Sequence, residues 1–284
     1  MTRTDRRGFS IRIFLPDGSP DGLRIVEKSN WTGCGIVCPR PLFPEAKSRD
    51  EFDRTGVYVL LGPPQEGELP EIYIGEGDPI RQRLERHQAE KDFWTSAICF
   101  TSKDSNLNKA HVQYLESRLI ELASGAKRSK LHNGNVPKLP SLSEADIADA
   151  ETFLAEMLLC FPVLGVSIFE KPEKPKPQAV KLMIKKKGIH ATGYESAGGF
   201  VVQKGSGVVK KETECLSPTI RKTRSDLLKN NVVIPKGIAW QFSQDYEFSS
   251  PSMAAAFVLA RTSNGRTEWR TPDGKTLKEL QESP

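Results

Sequence analysis

Apolar positions along this chain fall into short runs, separated by clusters of Gly, Pro, Asp and Lys. Near the start, SIRIFL and LRIVEK both alternate around PDGSPDG, so residues 10–37 read as β-structure with a hairpin and a long turn. WTGCGIVCPRPLF is also apolar but is punctuated by Gly and Pro. GVYVLLG and EIYIG are rich in β-branched and aromatic residues and flank a Pro/Gly/Glu-rich loop, which predicts two antiparallel strands. Asp78-Pro79 predicts a helix start, with Asp as cap and Pro at the first helical position. In IRQRLERHQAE, Ile80 and Leu84 form one stripe, and Arg83 and His87, one turn apart, form its neighbour. DFWTSAICFTS reads as a third strand. A helix over 107–124 follows, with Val112, Leu115, Leu119 and Leu122 as its apolar face. Glu116 lies one turn from both Val112 and Ile120. Its carboxylate is therefore drawn to the edge of the core, where burial without a cationic partner is costly.

The pattern then changes. GAKRSKLHNGNVPKLPS is basic and turn-rich, with Asn133 and Asn135 around Gly134. Ser143 is placed to cap the helix EADIADAETFLAEMLLCF, and FPVLGVSIFE reads as a last strand or a closing segment. In EKPEKPKPQAV, Pro alternates with Lys, the signature of an extended, semi-rigid linker. Beyond it come short Gly-punctuated strands and a basic helix, TIRKTRSDLLKN, bearing Arg221, Lys222, Arg224 and Lys229. Ser250-Pro251 starts a helix with an apolar body, and Asn264-Gly265 predicts a turn into a strand containing Trp269. The fold class this implies is α/β of the α+β type. Residues 1–170 form a first domain with an N-terminal β extension, 171–180 a Pro/Lys-rich linker, and 181–284 a second small α+β domain.

Composition narrows the classes. With 284 residues, 37% hydrophobic and 27% charged, the chain can bury two ordinary cores. No run approaches the roughly 20 apolar residues of a membrane span, and the N-terminus lacks the apolar stretch of a signal peptide, so a cytoplasmic location is expected. The five cysteines are scattered and odd in number, which favours reduced buried thiols over disulfides or a zinc site. The formal charge of +5 hides an asymmetry: residues 171–284 carry 20 Lys+Arg against 11 Asp+Glu, a net of +9, leaving −4 for residues 1–170. A basic module on an acidic one suits phosphate binding by the C-terminal domain.

Gly56-Val57-Tyr58 and Tyr73-Ile74-Gly75 together resemble the two tripeptides that name the GIY-YIG nuclease superfamily. The resemblance continues in order through Arg83, His87, Glu116 and Asn133, and covers about residues 50–135. It implies a small three-stranded antiparallel sheet flanked by helices, and hydrolysis of a DNA phosphodiester bond with Mg²⁺ (or Mn²⁺). It assigns Tyr58, Tyr73, Arg83, His87 and Glu116 to catalysis and Glu116 to the metal. Gly75 and Asn133 are expected at the substrate, with Arg221 and Arg224 of the basic helix as further phosphate contacts. Many members have a basic or neutral polar residue directly after the second tripeptide, whereas this chain has Glu76, whose carboxylate would repel a phosphate. The C-terminal piece resembles a domain of unknown function often found behind bacterial GIY-YIG nucleases. The expected function is thus a metal-dependent endonuclease acting on DNA, with RNA an open alternative substrate. A single site cuts one strand, so double-strand cleavage implies a homodimer or two events. The competing reading is a catalytically silent GIY-YIG-fold module that binds nucleic acid or a protein partner.

Overall fold

The computed structural model describes residues 8–63, 69–104, 106–134, 137–170 and 180–282. The chain divides into two compact units, Met1–Pro64 with Pro70–Phe169, and Glu170–Pro284 with Gln65–Leu69. Residues 171–179, where the Pro/Lys-rich linker is expected, lie outside the described residues, as does Asn135.

The first unit holds strands β1 (Ile11–Phe14), β2 (Arg24–Lys28) and β3 (Gly33–Pro39), then helix α1 (Phe43–Ala46) and strands β4 (Gly56–Leu61) and β5 (Glu71–Gly77). Helix α2 (Ile80–Glu90), strand β6 (Ser96–Ser102), helix α3 (Lys109–Ala126), strand β7 (Lys130–Leu131) and helix α4 (Glu144–Val163) complete it. Its sheet is seven-stranded, in the order β1-β2-β3-β6-β4-β5-β7. The expected three-stranded sheet is therefore too small a description: β6, β4 and β5 are adjacent and antiparallel, but they continue on both sides. β3 is the strand that the sequence disguises. Its breakers are packing devices, because a Cβ at Gly35 would sit 2.8 Å from the Phe100 ring and one at Gly33 would sit 2.1 Å from the Trp31 ring.

Period-two alternation gives each central strand two buried faces. Val57 and Val59 of β4, Ile72 and Ile74 of β5, and Ile98 and Phe100 of β6 meet Leu115, Leu119, Met157 and Phe161 of α3 and α4. The opposite face, with Tyr58, Leu60 and Cys99, packs on Phe43, Ile80, Leu84 and Trp94. Each such fully buried side chain contributes about 1.5–3 kcal/mol of transfer free energy. α3 starts at a capping box made by Asn108 and His111, and α4 at one made by Ser143 and Asp146. Two expectations fail locally. Asp78 does not cap α2; its carboxylate takes the Thr55 hydroxyl at 2.6 Å, and Pro79 stands at the cap position without a side-chain bond. FPVLGVSIFE forms no strand, since α4 runs on to Val163.

The second unit contains β8 (Leu182–Lys186), β9 (Ile189–Ser196), β10 (Gly199–Val202), β11 (Gly207–Val208), α5 (Pro218–Lys229), β12 (Val233–Lys236), β13 (Ala239–Phe242) and β14 (Tyr246–Phe248). Helices α6 (Pro251–Leu259), α7 (Gly265–Glu268) and α8 (Leu277–Glu282) follow. A four-stranded sheet, β14-β10-β9-β8, and a three-stranded one, β11-β13-β12, both antiparallel, share a core with α6. α6 is apolar on every side and correspondingly buried, with Ser250 capping its start. Asn264 caps α7 instead of turning into a strand, and Trp269 follows that helix as a fully buried anchor. The molecule is thus mixed α+β. Among the described residues, no helix is long and apolar enough to cross a membrane.

The five cysteines are free; Cys34, Cys38, Cys99 and Cys160 are buried and Cys215 is exposed, so the expectation of buried thiols fails at the last of them.

Candidate active site

The register of β4 on β5 sets the site. Tyr58 stands opposite Gly75, and Leu60 opposite Tyr73, so both tyrosines share the face that α2 covers. Tyr58 is fully buried, and its hydroxyl lies over β5: a Cβ at residue 75 would be 2.4 Å from the Tyr58 oxygen. Gly75 is therefore required by the tyrosine, and its buried position leaves no side chain to offer a substrate.

α2 buries Ile80, Leu84 and His87 along one stripe and leaves Arg83 exposed. His87 thus belongs to the apolar stripe rather than beside it, as the expected pairing with Arg83 had it. Its Nε2 lies 2.8 Å from the Tyr58 hydroxyl oxygen, while its Nδ1 is buried with no hydrogen-bond partner. Tyr73 closes the group: its ring meets the His87 ring edge-on at 4.8 Å, and the Lys91 ammonium sits over its other surroundings, 4.7 Å from the ring centre. Burial, with the Lys91 and Arg83 cations, pushes the His87 pKa down to about 4, so its imidazole is neutral at neutral pH. Burial raises the Tyr58 hydroxyl well above an ordinary tyrosine, with Tyr73 adding to the effect. Tyr73 is raised by the same cause and by the nearby Glu116 charge.

Glu116 comes from α3, the helix on the other face of the sheet. It is half-buried, and among the described residues its carboxylate makes no ion pair, contrary to the salt bridge that its position predicts. Burial, reinforced by Glu76, raises its pKa to about 7, against the pull of Arg83 and Lys109. Glu76 itself is buried, and both its oxygens are held by the Lys109 ammonium, at 2.7 and 2.8 Å. The carboxylate that seemed bound to repel a phosphate is thus neutralised by a partner 33 residues away.

The remaining expected contacts are otherwise engaged. The Asn133 amide bonds the backbone of Ile74 twice, accepting from its N–H at 3.0 Å and donating to its carbonyl at 2.7 Å, so it shapes β5 instead of facing a substrate. β7 pairs with β5 only at Glu71 and Ile72, and Asn133 stands in for the next residue. Past Ile74, β5 remains paired with β4, but its outer edge has no strand partner among the described residues. Arg83 reaches this edge from α2, its Nε donating to the Glu76 carbonyl at 3.3 Å. In the second unit, Arg224 is 1% exposed and enclosed by Glu212 and the carbonyls of Val209 and Phe257. Arg221 donates to Glu212 and to the carbonyls of Thr213 and Leu216. Arg224 is therefore closed off from a phosphate, whereas Arg221 is engaged but partly exposed, and Lys222 and Lys229 of α5 are exposed. Lys109 and Lys91 are the members that the sequence did not reveal.

Among the described residues, no group of three or more His, Cys, Asp and Glu side chains could hold a metal ion. A single carboxylate suffices for Mg²⁺, which keeps most of its waters. Glu116, half-buried and unpaired, is a donor of that kind. A concavity of about 490 Å³ lies apart from these residues, lined by Trp31, Asn106, His111, Asp146 and Phe153.

Two tyrosines, a neutral histidine, an exposed arginine and a half-buried carboxylate gather around β4 and β5 as a polar constellation. Residues 182–281, most of the second unit, match the family described as Domain of unknown function (DUF4357), in keeping with the C-terminal domain expected from the sequence. No match to the GIY-YIG family accompanies it, so the likeness of the first unit rests on the residues quoted above. No curated protein and no solved structure matches the chain.

Proposed function

We propose that the first unit is a GIY-YIG-type endonuclease site that hydrolyses a DNA phosphodiester bond with Mg²⁺, or Mn²⁺, held by Glu116. The observation that carries this reading is the Tyr58–His87 hydrogen bond beside Tyr73, flanked by Arg83 and an unpaired Glu116. His87, neutral at working pH, accepts the Tyr58 proton at Nε2 as the tyrosine oxygen takes one from the attacking water. Raised as it is by burial, Tyr58 does not ionise alone, and the histidine lets it act as a relay without a free phenolate. Tyr73 walls the water from bulk solvent and orients it. Arg83, exposed next to the relay, donates to the phosphoryl oxygens as negative charge gathers there. A divalent ion held by Glu116 would supply Lewis acidity for the phosphoryl transfer. Its ligand is tuned to release it: a carboxyl with a pKa of about 7 binds a cation only when deprotonated.

The second unit, with a net charge of +9 over residues 171–284, supplies general affinity for the backbone through counterion release. The test is nicking of supercoiled plasmid in Mg²⁺, with an RNA substrate in parallel. Cleavage is expected to vanish with EDTA and in Glu116→Ala, and to fall by about 10²–10³-fold in Arg83→Ala. Undiminished cleavage by Glu116→Ala would remove the metal assignment. DNA binding without cleavage under all divalent ions would favour the silent binding module.

A further inference from the structure

Glu76 holds two cations at once. Its backbone carbonyl accepts from Arg83 Nε at 3.3 Å, and its carboxylate takes both bonds from Lys109 Nζ. Arg83 arrives from α2 and Lys109 from the first residue of α3, so the two approach β5 from opposite faces of the sheet. Residue 76 lies in the part of β5 that has no outer partner among the described residues. The carboxylate is buried, but the Lys109 side chain is half exposed, at 50%, so the lysine stands between the buried carboxylate and solvent. An ammonium has three donors, and two go to Glu76.

We propose that the Glu76 carboxylate is a positioning group that fixes Lys109 at the unpaired outer edge of β5, beside the Arg83 held by the backbone carbonyl there, and that Lys109 contacts a substrate phosphate next to the scissile one. The proposal rests on the nuclease reading for its substrate. A buried salt bridge with one half-exposed partner is a poor stabilising device, since desolvation of the carboxylate offsets the attraction. It does restrict where the lysine can go. A surface lysine spends rotamer entropy when it meets a phosphate, and one already held by two hydrogen bonds has lost that entropy beforehand. A strand that carries an acidic residue after its second tripeptide thereby recovers a cation from a helix on the far face.

The test is salt-dependent binding of a short DNA duplex in EDTA, followed by fluorescence anisotropy, with no turnover needed. The double variant Glu76→Gln/Lys109→Gln keeps the net charge and leaves no unpaired buried carboxylate, so it is the folded control. It is expected to lower the slope of log affinity against log salt by about 0.9, one phosphate contact, and to weaken binding about eightfold at 0.1 M salt. Lys109→Arg should restore most of the loss. Glu76→Gln alone, although it removes a negative charge, is expected to weaken binding because Lys109 is released. With Mg²⁺, the double variant should raise KM while kcat changes little. An unchanged slope in the double variant overturns the phosphate contact, and tighter binding by Glu76→Gln overturns the positioning role. Should the wild type bind with the expected slopes but never cleave, the nuclease reading falls and this one stands.

Discussion

Among the charged groups that the two units draw out of water, Arg224 and Glu116 are treated in opposite ways. Arg224 in the second unit is buried to 1% exposure and fully engaged. Its Nε meets Glu212 at 2.9 Å, its Nη2 meets the Val209 carbonyl at 2.7 Å, its Nη1 meets the Phe257 carbonyl, and its plane lies 4.6 Å from the Trp240 ring centre. Glu116 in the first unit is only half-buried, yet its carboxylate has no ion pair among the described residues. A structural charge is buried with its partners; a group left partly dry and unpaired keeps its interaction energy for something that arrives later.

The largest test of this contrast is Arg224→Met. Removing the guanidinium leaves the Val209 and Phe257 carbonyls without their donor and Glu212 with Arg221 alone, and should cost about 3–5 kcal/mol, read as a large drop in Tm or denaturant midpoint. A tolerated substitution would break the comparison. Gly75→Ala acts on the first unit without changing any charge. The added methyl collides with the Tyr58 hydroxyl at 2.4 Å, so overpacking should cost about 1–3 kcal/mol and displace the tyrosine from His87. Relay and stability should fail together there.

Glu116→Gln gives the smallest effect and the most telling sign. A carboxyl whose folded pKa is raised, here to about 7, destabilises the fold once pH exceeds its unfolded value near 4.3. The penalty grows through the window between those values and is complete above about 7. The amide removes it, so Glu116→Gln should gain roughly 1–2 kcal/mol at pH 8 after allowance for its partial exposure, and nothing near pH 4. The matching measurement on the wild type is Mg²⁺ affinity, expected to fall about tenfold per pH unit below 7 and to level off above it. A destabilised Glu116→Gln at pH 8 would mean that the carboxylate has a structural partner after all.

The sequence reading succeeded where a signal is local. Ser143 and Ser250 announce helix starts by capping, and the β-branched and aromatic content of GVYVLLG and EIYIG marks β4 and β5. It failed where meaning depends on distant partners. Gly33, Gly35 and Pro39 look like breakers, yet the glycines admit the Trp31 and Phe100 rings to an inner strand. Lys109 could not be matched to Glu76 across 33 residues, because nothing in either segment names the other. Arg224 was misread as solvated although a signal existed: it falls on the spacing of Ile220, Thr223 and Leu227, all buried. The size of the first sheet was hidden for the same reason as β3, since strands from the N-terminal segment join it only by long-range pairing.

An unpaired strand edge normally invites another copy of the same chain. The Asn133 amide fills the place of one paired residue, and the stretch left without an outer strand partner, Gly75 to Gly77, is only three residues long, buried, and met at the Glu76 carbonyl by Arg83. Side chains thus do at this edge what a neighbouring strand would do, and the sheet ends here without offering a template for edge-to-edge aggregation.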